Sequence, residues 1–86
     1  MDALNVIKYP VSNEKAIRLM ESENILTFIV ESKAEKEDVK KAVEKIFKTK
    51  VVDVKTMNDM KGRKKAYVKL SKETPAIDIA TQLGMM

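Results

Sequence analysis

Short apolar runs alternate along this chain with longer stretches in which apolar residues return every three or four positions. Leu4 to Ile7 is a short apolar run that stops before Tyr9-Pro10, where proline ends regular pairing, and it predicts a first strand. Glu14 to Glu21 follows with Ala16, Ile17 and Met20 on one side, Asn13 as N-cap and Glu14 in the partly positive first turn. That pattern predicts a helix, which Asn24 breaks. Ile25 to Val30 is rich in β-branched residues and apolar on both faces, as in an interior strand covered from both sides. Val39, Ala42, Val43, Ile46 and Phe47 then mark one side of a second helix. Its start falls between Ser32 and Lys36, with Ser32 and Glu35 placed to form a capping box.

Val51 to Met57 predicts a third strand, with Val52, Val54 and Thr56 on one face and Val51, Asp53, Lys55 and Met57 on the other. The turn-type residues from Asn58 to Gly62 make it one arm of a hairpin whose other arm is Lys64 to Ser71. Thr74 reads as an N-cap and Pro75 as the first residue of a last helix, which carries Ile77, Ala80 and Leu83 and closes at Gly84. The order strand-helix-strand-helix-strand-strand-helix predicts an α+β fold. It is a four-stranded, mainly antiparallel sheet with helices packed on it, in one domain over residues 1–86. Among the methionines, Met20 belongs to the core, Met57 and Met60 lie near the hairpin tip, and Met85 and Met86 form a frayed end.

Composition narrows the chemistry. A hydrophobic content of 44% excludes wholesale disorder. The absence of cysteine and histidine removes disulfides, the usual zinc ligands and the commonest general base. Gly62 and Gly84 are the only glycines, so no glycine-rich phosphate loop exists, and no nucleophile has an evident base. Neither an enzyme nor a bound cofactor or metal is expected. The acidic cluster Glu35, Glu37 and Asp38 sits in a helix's first turn, where it complements the helix dipole. No apolar run is long enough for a bilayer and Met1-Asp2 does not open a signal peptide, so a soluble intracellular protein is expected.

The net charge of +4 is regional: residues 1–32 carry −2, residues 33–54 carry +2 and residues 55–86 carry +4. Over residues 33–50 both signs alternate, the pattern of a solvated surface. The stretch Lys61 to Leu70, K-G-R-K-K-A-Y-V-K-L, is different. As a strand it turns Ala66, Val68 and Leu70 to one face and Lys65, Tyr67 and Lys69 to the other, with Arg63 and Lys64 just upstream. A ring flanked by ammonium groups suits a phosphate backbone with exposed bases. The stretch is a partial match to the first ribonucleoprotein motif of the RNA recognition domain. Ala66, Tyr67 and Val68 are in register, but lysines and a leucine stand where further glycine and aromatics belong. A single ring cannot stack several bases, so phosphate contact by Arg63, Lys64, Lys65 and Lys69 is the expectation. The competing readings are a solubilising surface like that of heat-stable proteins and a freestanding single-stranded RNA module built on Tyr67.

Three separated blocks resemble one family. Tyr9-Pro10-Val11-Ser12-Asn13-Glu14-Lys15-Ala16 is similar to its opening signature, and Glu37 to Glu44 with Phe47 and Val51-Val52 to its central helix and following strand. Lys64 to Leu70 is similar to its closing strand. The family is ribosomal protein L twenty-three, a large-subunit protein at the exit of the polypeptide tunnel, and the resemblance covers essentially the whole chain. It implies a cytoplasmic, ribosome-bound monomer held by large-subunit ribosomal RNA and neighbouring ribosomal proteins, without membrane insertion. It further implies transient docking of the signal recognition particle, nascent-chain chaperones and the translocon. On that resemblance Lys55, Lys61, Arg63, Lys64, Lys65, Tyr67 and Lys69 take the RNA role, joined near the proline turn by Lys8, Tyr9, Asn13 and Lys15. Glu14 falls at the family's chaperone-docking glutamate, with Arg18 and Glu21 beside it as docking residues. Asn13 replaces the usual Thr or Ser, and Lys55 the usual asparagine. The short connector from Asn58 to Gly62 resembles the archaeal and eukaryotic branch, not the bacterial members whose long loop reaches into the tunnel.

Overall fold

Two asparagines bound the first long helix. In the computed structural model, which describes residues 3 to 83, helix α2 (Glu14–Glu23) starts where the Ala16 N–H donates to Asn13 Oδ1 at 2.8 Å. It stops at Asn24, whose φ of 59° is the left-handed conformation that asparagine adopts more readily than most residues. The closing role expected of Gly84, and the end formed by Met85 and Met86, lie outside the described residues.

The remaining elements are α1 (Ala3–Val6), β1 (Ile7–Pro10), β2 (Ile25–Val30), α3 (Lys36–Phe47), β3 (Val51–Asn58), β4 (Lys64–Leu70) and α4 (Ala76–Gln82). The strands form one antiparallel sheet in the order β1-β2-β4-β3. This is the α+β architecture that the alternation of patterns predicts. β2 and β4 are interior. On one face Leu26, Phe28 and Val30 join Ala66, Val68, Leu70, Val51 and Val54 in the core beneath Val39, Ala42 and Val43 of α3. There the ring of Phe28 stacks on Phe47 with centroids 5.9 Å apart. On the opposite face Thr27 and Ile29 are also buried, because α2 packs against β2, while α4 touches α2 and β2 and adds Ala76, Ile79 and Ala80 to the core cluster that holds Leu26 and Phe28. On this second side α2 covers β2 and borders Lys65 and Tyr67 of β4, and the sheet opens toward β3.

Five local expectations change. The first strand is Ile7–Pro10 and residues 3–6 make a helical turn that places Val6 in the core beside α3. Tyr9 and Pro10 can pair with Ile29 and Phe28 because β1 is an edge strand, where the N–H that proline lacks is not needed. Second, α3 begins one residue after Glu35, whose N–H donates to Asp38 Oδ2 at 3.0 Å, while Ser32 bonds to Glu31 instead. Third, Ile46 faces solvent at the end of that helix. Fourth, Val51 faces Leu70 while Asp53 faces Lys69, so Val52 is the extra residue of a bulge. The bulge flips the expected alternation, burying Val51 and leaving Val52 62% exposed. Fifth, the first N–H of α4, from Ala76, donates to Asn24 Oδ1 at 2.6 Å and not to Thr74. The helix buries Ala76, Ile79 and Ala80 and exposes Ile77.

Candidate nucleic-acid interface

The open half of the second face is laid out by strand register. Lys65 lies between Ile29 and Met57, Tyr67 between Thr27 and Lys55, and Lys69 between Ile25 and Asp53. Tyr67 is half-buried, with lysines before and after it on its own strand and Lys55 across from it. Lys65 is half-buried against the α2 side, whereas Lys55, Lys61 and Lys69 are exposed. Among the described residues no carboxylate lies within ion-pair distance of Lys15, Lys55, Lys61, Lys65 or Lys69. Even Asp53, across from Lys69, turns its Oδ1 to the Val54 N–H at 2.9 Å. These lysines make no direct ion pair, so their ammonium groups stay available to an outside anion, although Glu21 and Glu23 share a cleft with Lys69.

At the hairpin end the structure joins residues from opposite ends of the chain. Arg63 Nη1 donates to the Tyr9 hydroxyl at 3.1 Å, a contact between residues 54 apart in sequence. The guanidinium reaches Tyr9 because Tyr9 pairs with Ile29, which in turn pairs with Lys65, two residues beyond Arg63. Asp59 holds the other side: its Oδ2 accepts from Arg63 Nε at 3.1 Å, and its Oδ1 accepts the main-chain N–H groups of Lys61 and Arg63 at 2.9 Å. Accepting the Arg63 main-chain N–H holds the Asp59 carboxyl below its ordinary value, and the phenol and carboxylate together push the Arg63 guanidinium up. Gly62, at φ +80°, allows the five-residue connection from 59 to 63 to close.

Other predicted residues have different places. Lys64 belongs to the core side of β4 and its Nζ donates to the Ala34 carbonyl at 2.6 Å, tying β4 to the approach of α3. It is not brought together with Lys65 and Lys69. Lys8 lies at the irregularity in β1 and pairs with Glu31 at 3.8 Å. Asn13 spends its side-chain oxygen on the helix cap. Lys15 faces the open sheet across a cleft of about 50 Å³, lined also by Asn13 and Leu19 on the helix side and Thr27, Lys65 and Tyr67 on the sheet side. Glu14, Arg18 and Glu21 share the outer side of α2, with Arg18 and Glu14 in an exposed pair at 3.5 Å.

Two residues of the site escape a sequence reading. Asp59 had a usable signal, since an Asp three residues before a Gly in a connector is a turn initiator. Thr27 had none. Its side chain is buried at 4% exposure beside Tyr67, and its hydroxyl has no partner among the described residues. Thr27→Val, which keeps the shape and removes the idle hydroxyl, is expected to raise stability by about 1 kcal/mol in a urea melt. A loss of that size would mean that water in the cleft serves the hydroxyl.

The profile of the family described as ribosomal protein L23 matches residues 5–79. The chain is 48% identical over 85 residues to the large ribosomal subunit protein uL23 of Methanococcus vannielii, covering 99% of both chains. It is 47% identical over 85 residues to the protein of the same name from Methanococcus aeolicus, again covering 99% of both. A uL23 of Trypanosoma brucei brucei is 42% identical over 85 residues, which is 99% of this chain and 52% of the longer relative. With three-quarters or more of its length inside the family profile and full-length relatives at nearly half identity, the chain belongs to the ribosomal protein L23 family.

Proposed function

We propose that this protein is moored to large-subunit ribosomal RNA through the open half of its sheet, near the exit of the polypeptide tunnel. As a member of a ribosomal-protein family it is a structural constituent of the large subunit and not an enzyme. The observation that carries the RNA reading is the set of lysines without carboxylate partners around Tyr67, continued by Arg63 at the hairpin end and flanked by Lys15 from α2. Such a surface binds phosphates through charge and reads shape more than sequence. Six cations, Lys15, Lys55, Lys61, Arg63, Lys65 and Lys69, give log K a slope of about −4 to −5 against log salt for a large-subunit RNA transcript. A flat salt response would sink the reading.

The outer stripe of α2, Glu14 with Arg18 and Glu21, is proposed as the docking surface for targeting factors and nascent-chain chaperones; Glu21 borders the lysine face at Lys69. Glu14→Ala is expected to weaken binding of the signal recognition particle to ribosomes by about fivefold, the scale of one useful interface residue. The altered protein should stay in the large subunit. Loss of both associations, or of neither, would show that the two faces are not separate in role. A freestanding single-stranded RNA module is less well supported, because Tyr67 is half-buried and Tyr9 spends its hydroxyl on Arg63. In that case Tyr67→Ala, not the loss of Arg63, would dominate binding.

A further inference from the structure

Asp59 is an acidic residue in the most basic third of the chain, at the border of a surface read as a polyanion seat. On charge alone it opposes binding. Its geometry says otherwise. The carboxylate is only 15% exposed, because both oxygens turn inward to the connection and to Arg63 Nε. The guanidinium above it is 44% exposed. Arginine has five N–H groups in a planar fork; two are taken, by Asp59 and by Tyr9, and three remain to be offered outward. Free arginine side chains lose much rotamer freedom when they grip a phosphate. Here that loss is met during folding, because one partner comes from the hairpin and the other from β1 across the sheet.

We propose that Asp59 is a positioning residue for RNA binding: with the Tyr9 hydroxyl it presets the Arg63 guanidinium as a seat for one backbone phosphate, so this acid strengthens the grip on a polyanion. The proposal rests on the reading of the open sheet as an RNA surface and adds to it a residue of the opposite charge. The Asp59 carboxyl, held below its ordinary value by the Arg63 main-chain N–H, is ionised at neutral pH. The same residue also shapes the turn, and the two duties are separable. Asp59→Asn keeps an oxygen for the Lys61 and Arg63 main-chain N–H groups, but its amide nitrogen cannot accept from Arg63 Nε.

The experiment measures binding of a Methanococcus vannielii large-subunit RNA transcript by fluorescence anisotropy across a salt series. The proteins compared are wild type, Asp59→Asn, Tyr9→Phe, Arg63→Ala and the two double variants with Arg63→Ala. Asp59→Asn is expected to bind about three- to tenfold more weakly although it gains a positive charge, the scale of one side chain no longer pre-ordered. Tyr9→Phe should lose less, and both losses should vanish in the Arg63→Ala background. Arg63→Ala itself should lower the salt slope by about one. Equal or tighter binding by Asp59→Asn overturns the proposal, and so does a loss of the same size when Arg63 is already alanine, which would assign Asp59 to the turn alone. A normal slope and affinity for Arg63→Ala removes Arg63 from the RNA surface while leaving the lysine reading intact. Absence of salt-dependent binding by the wild type defeats the mooring reading itself. If Asp59→Asn lowers the melting temperature, Tyr9→Phe, which leaves the turn untouched, decides between preset and free arginine by the same cycle.

Discussion

Replacing Lys55, Lys65 and Lys69 together by alanine is expected to weaken binding of a large-subunit RNA transcript by about a hundredfold at about 0.1 M salt. Each lysine that neutralises a phosphate contributes about 0.7 to 0.9 to the slope of log K against log salt, so three should lower it by about two to two and a half units. By about 1 M salt the variant and the wild type should converge, because the counterion term is then exhausted. The size follows from register. Lys65 and Lys69 bracket Tyr67 on β4, and Lys55 faces it from β3, so the three sit around one ring on a surface that α2 borders but does not close over. The fold should hardly notice, since none of the three makes an ion pair among the described residues and none belongs to the core cluster. The same triple change on residues 40, 41 and 45 of α3 serves as the control, because Lys40, Lys41 and Lys45 lie on an exposed helix with acidic neighbours. If the control weakens binding as much as the test variant, the attraction is a property of net charge and the open sheet is not the seat.

The architecture was readable because periodicity and burial agree over most of the chain. β2 is apolar on both faces and is buried on both, and the one-sided stripe of α3 meets the sheet through Val39, Ala42 and Val43. Errors gather where a one-residue slip reverses a face. Val52 differs from Val51 in no intrinsic property; only the bulge opposite Leu70 and Lys69 decides which of them is buried. A bulge at an edge strand leaves no mark in composition. Leu4 to Ile7 failed for a related reason: three apolar residues in four positions carry too little pattern to separate a strand from a helical turn, and contact with α3 decided the matter.

The site was legible in its alternation and illegible in its long-range partners. The division of β4 into Ala66, Val68 and Leu70 on one side and Lys65, Tyr67 and Lys69 on the other follows from pleating alone. By the same rule Lys64 belongs with Ala66, and grouping it with Lys65 and Lys69 gave local charge more weight than parity. Its bond to the Ala34 carbonyl shows what a lysine at the end of a core-facing row does with its charge. The contact between Arg63 and Tyr9 needs the strand order, which pattern does not supply. Once β1 and β4 are known to flank β2, the reach across Ile29 follows.

Asn24→Ala is expected to cost about 3 kcal/mol of stability, and to lower the melting temperature by more than 10 °C at about 4–8 °C per kcal/mol for a chain of this size. Asn24 lies between three elements. Its left-handed backbone ends α2, its side-chain Nδ2 donates to the carbonyls of Leu70, Ser71 and Thr74 at 3.1 to 3.2 Å, and its Oδ1 accepts the first N–H of α4. Alanine in the left-handed region costs about 1 kcal/mol by itself. Each lost side-chain hydrogen bond adds about 0.5–1.5 kcal/mol, and the bonds share one amide, so they do not sum in full. α4 has only seven residues and cannot hold its shape unaided. Without its cap it should loosen first, exposing Ile79 and Ala80 and speeding amide exchange along residues 76–82 ahead of global unfolding. Two further substitutions separate the contributions. Asn24→Gly restores the backbone but not the amide, and should recover about 1 kcal/mol of the loss. Asn24→Asp keeps an acceptor for Ala76 but brings a carboxylate against three carbonyls that have lost their donor, and should be no better than alanine. Wild-type stability for the glycine variant would mean that the side-chain bridge contributes nothing and that backbone conformation alone makes Asn24 matter.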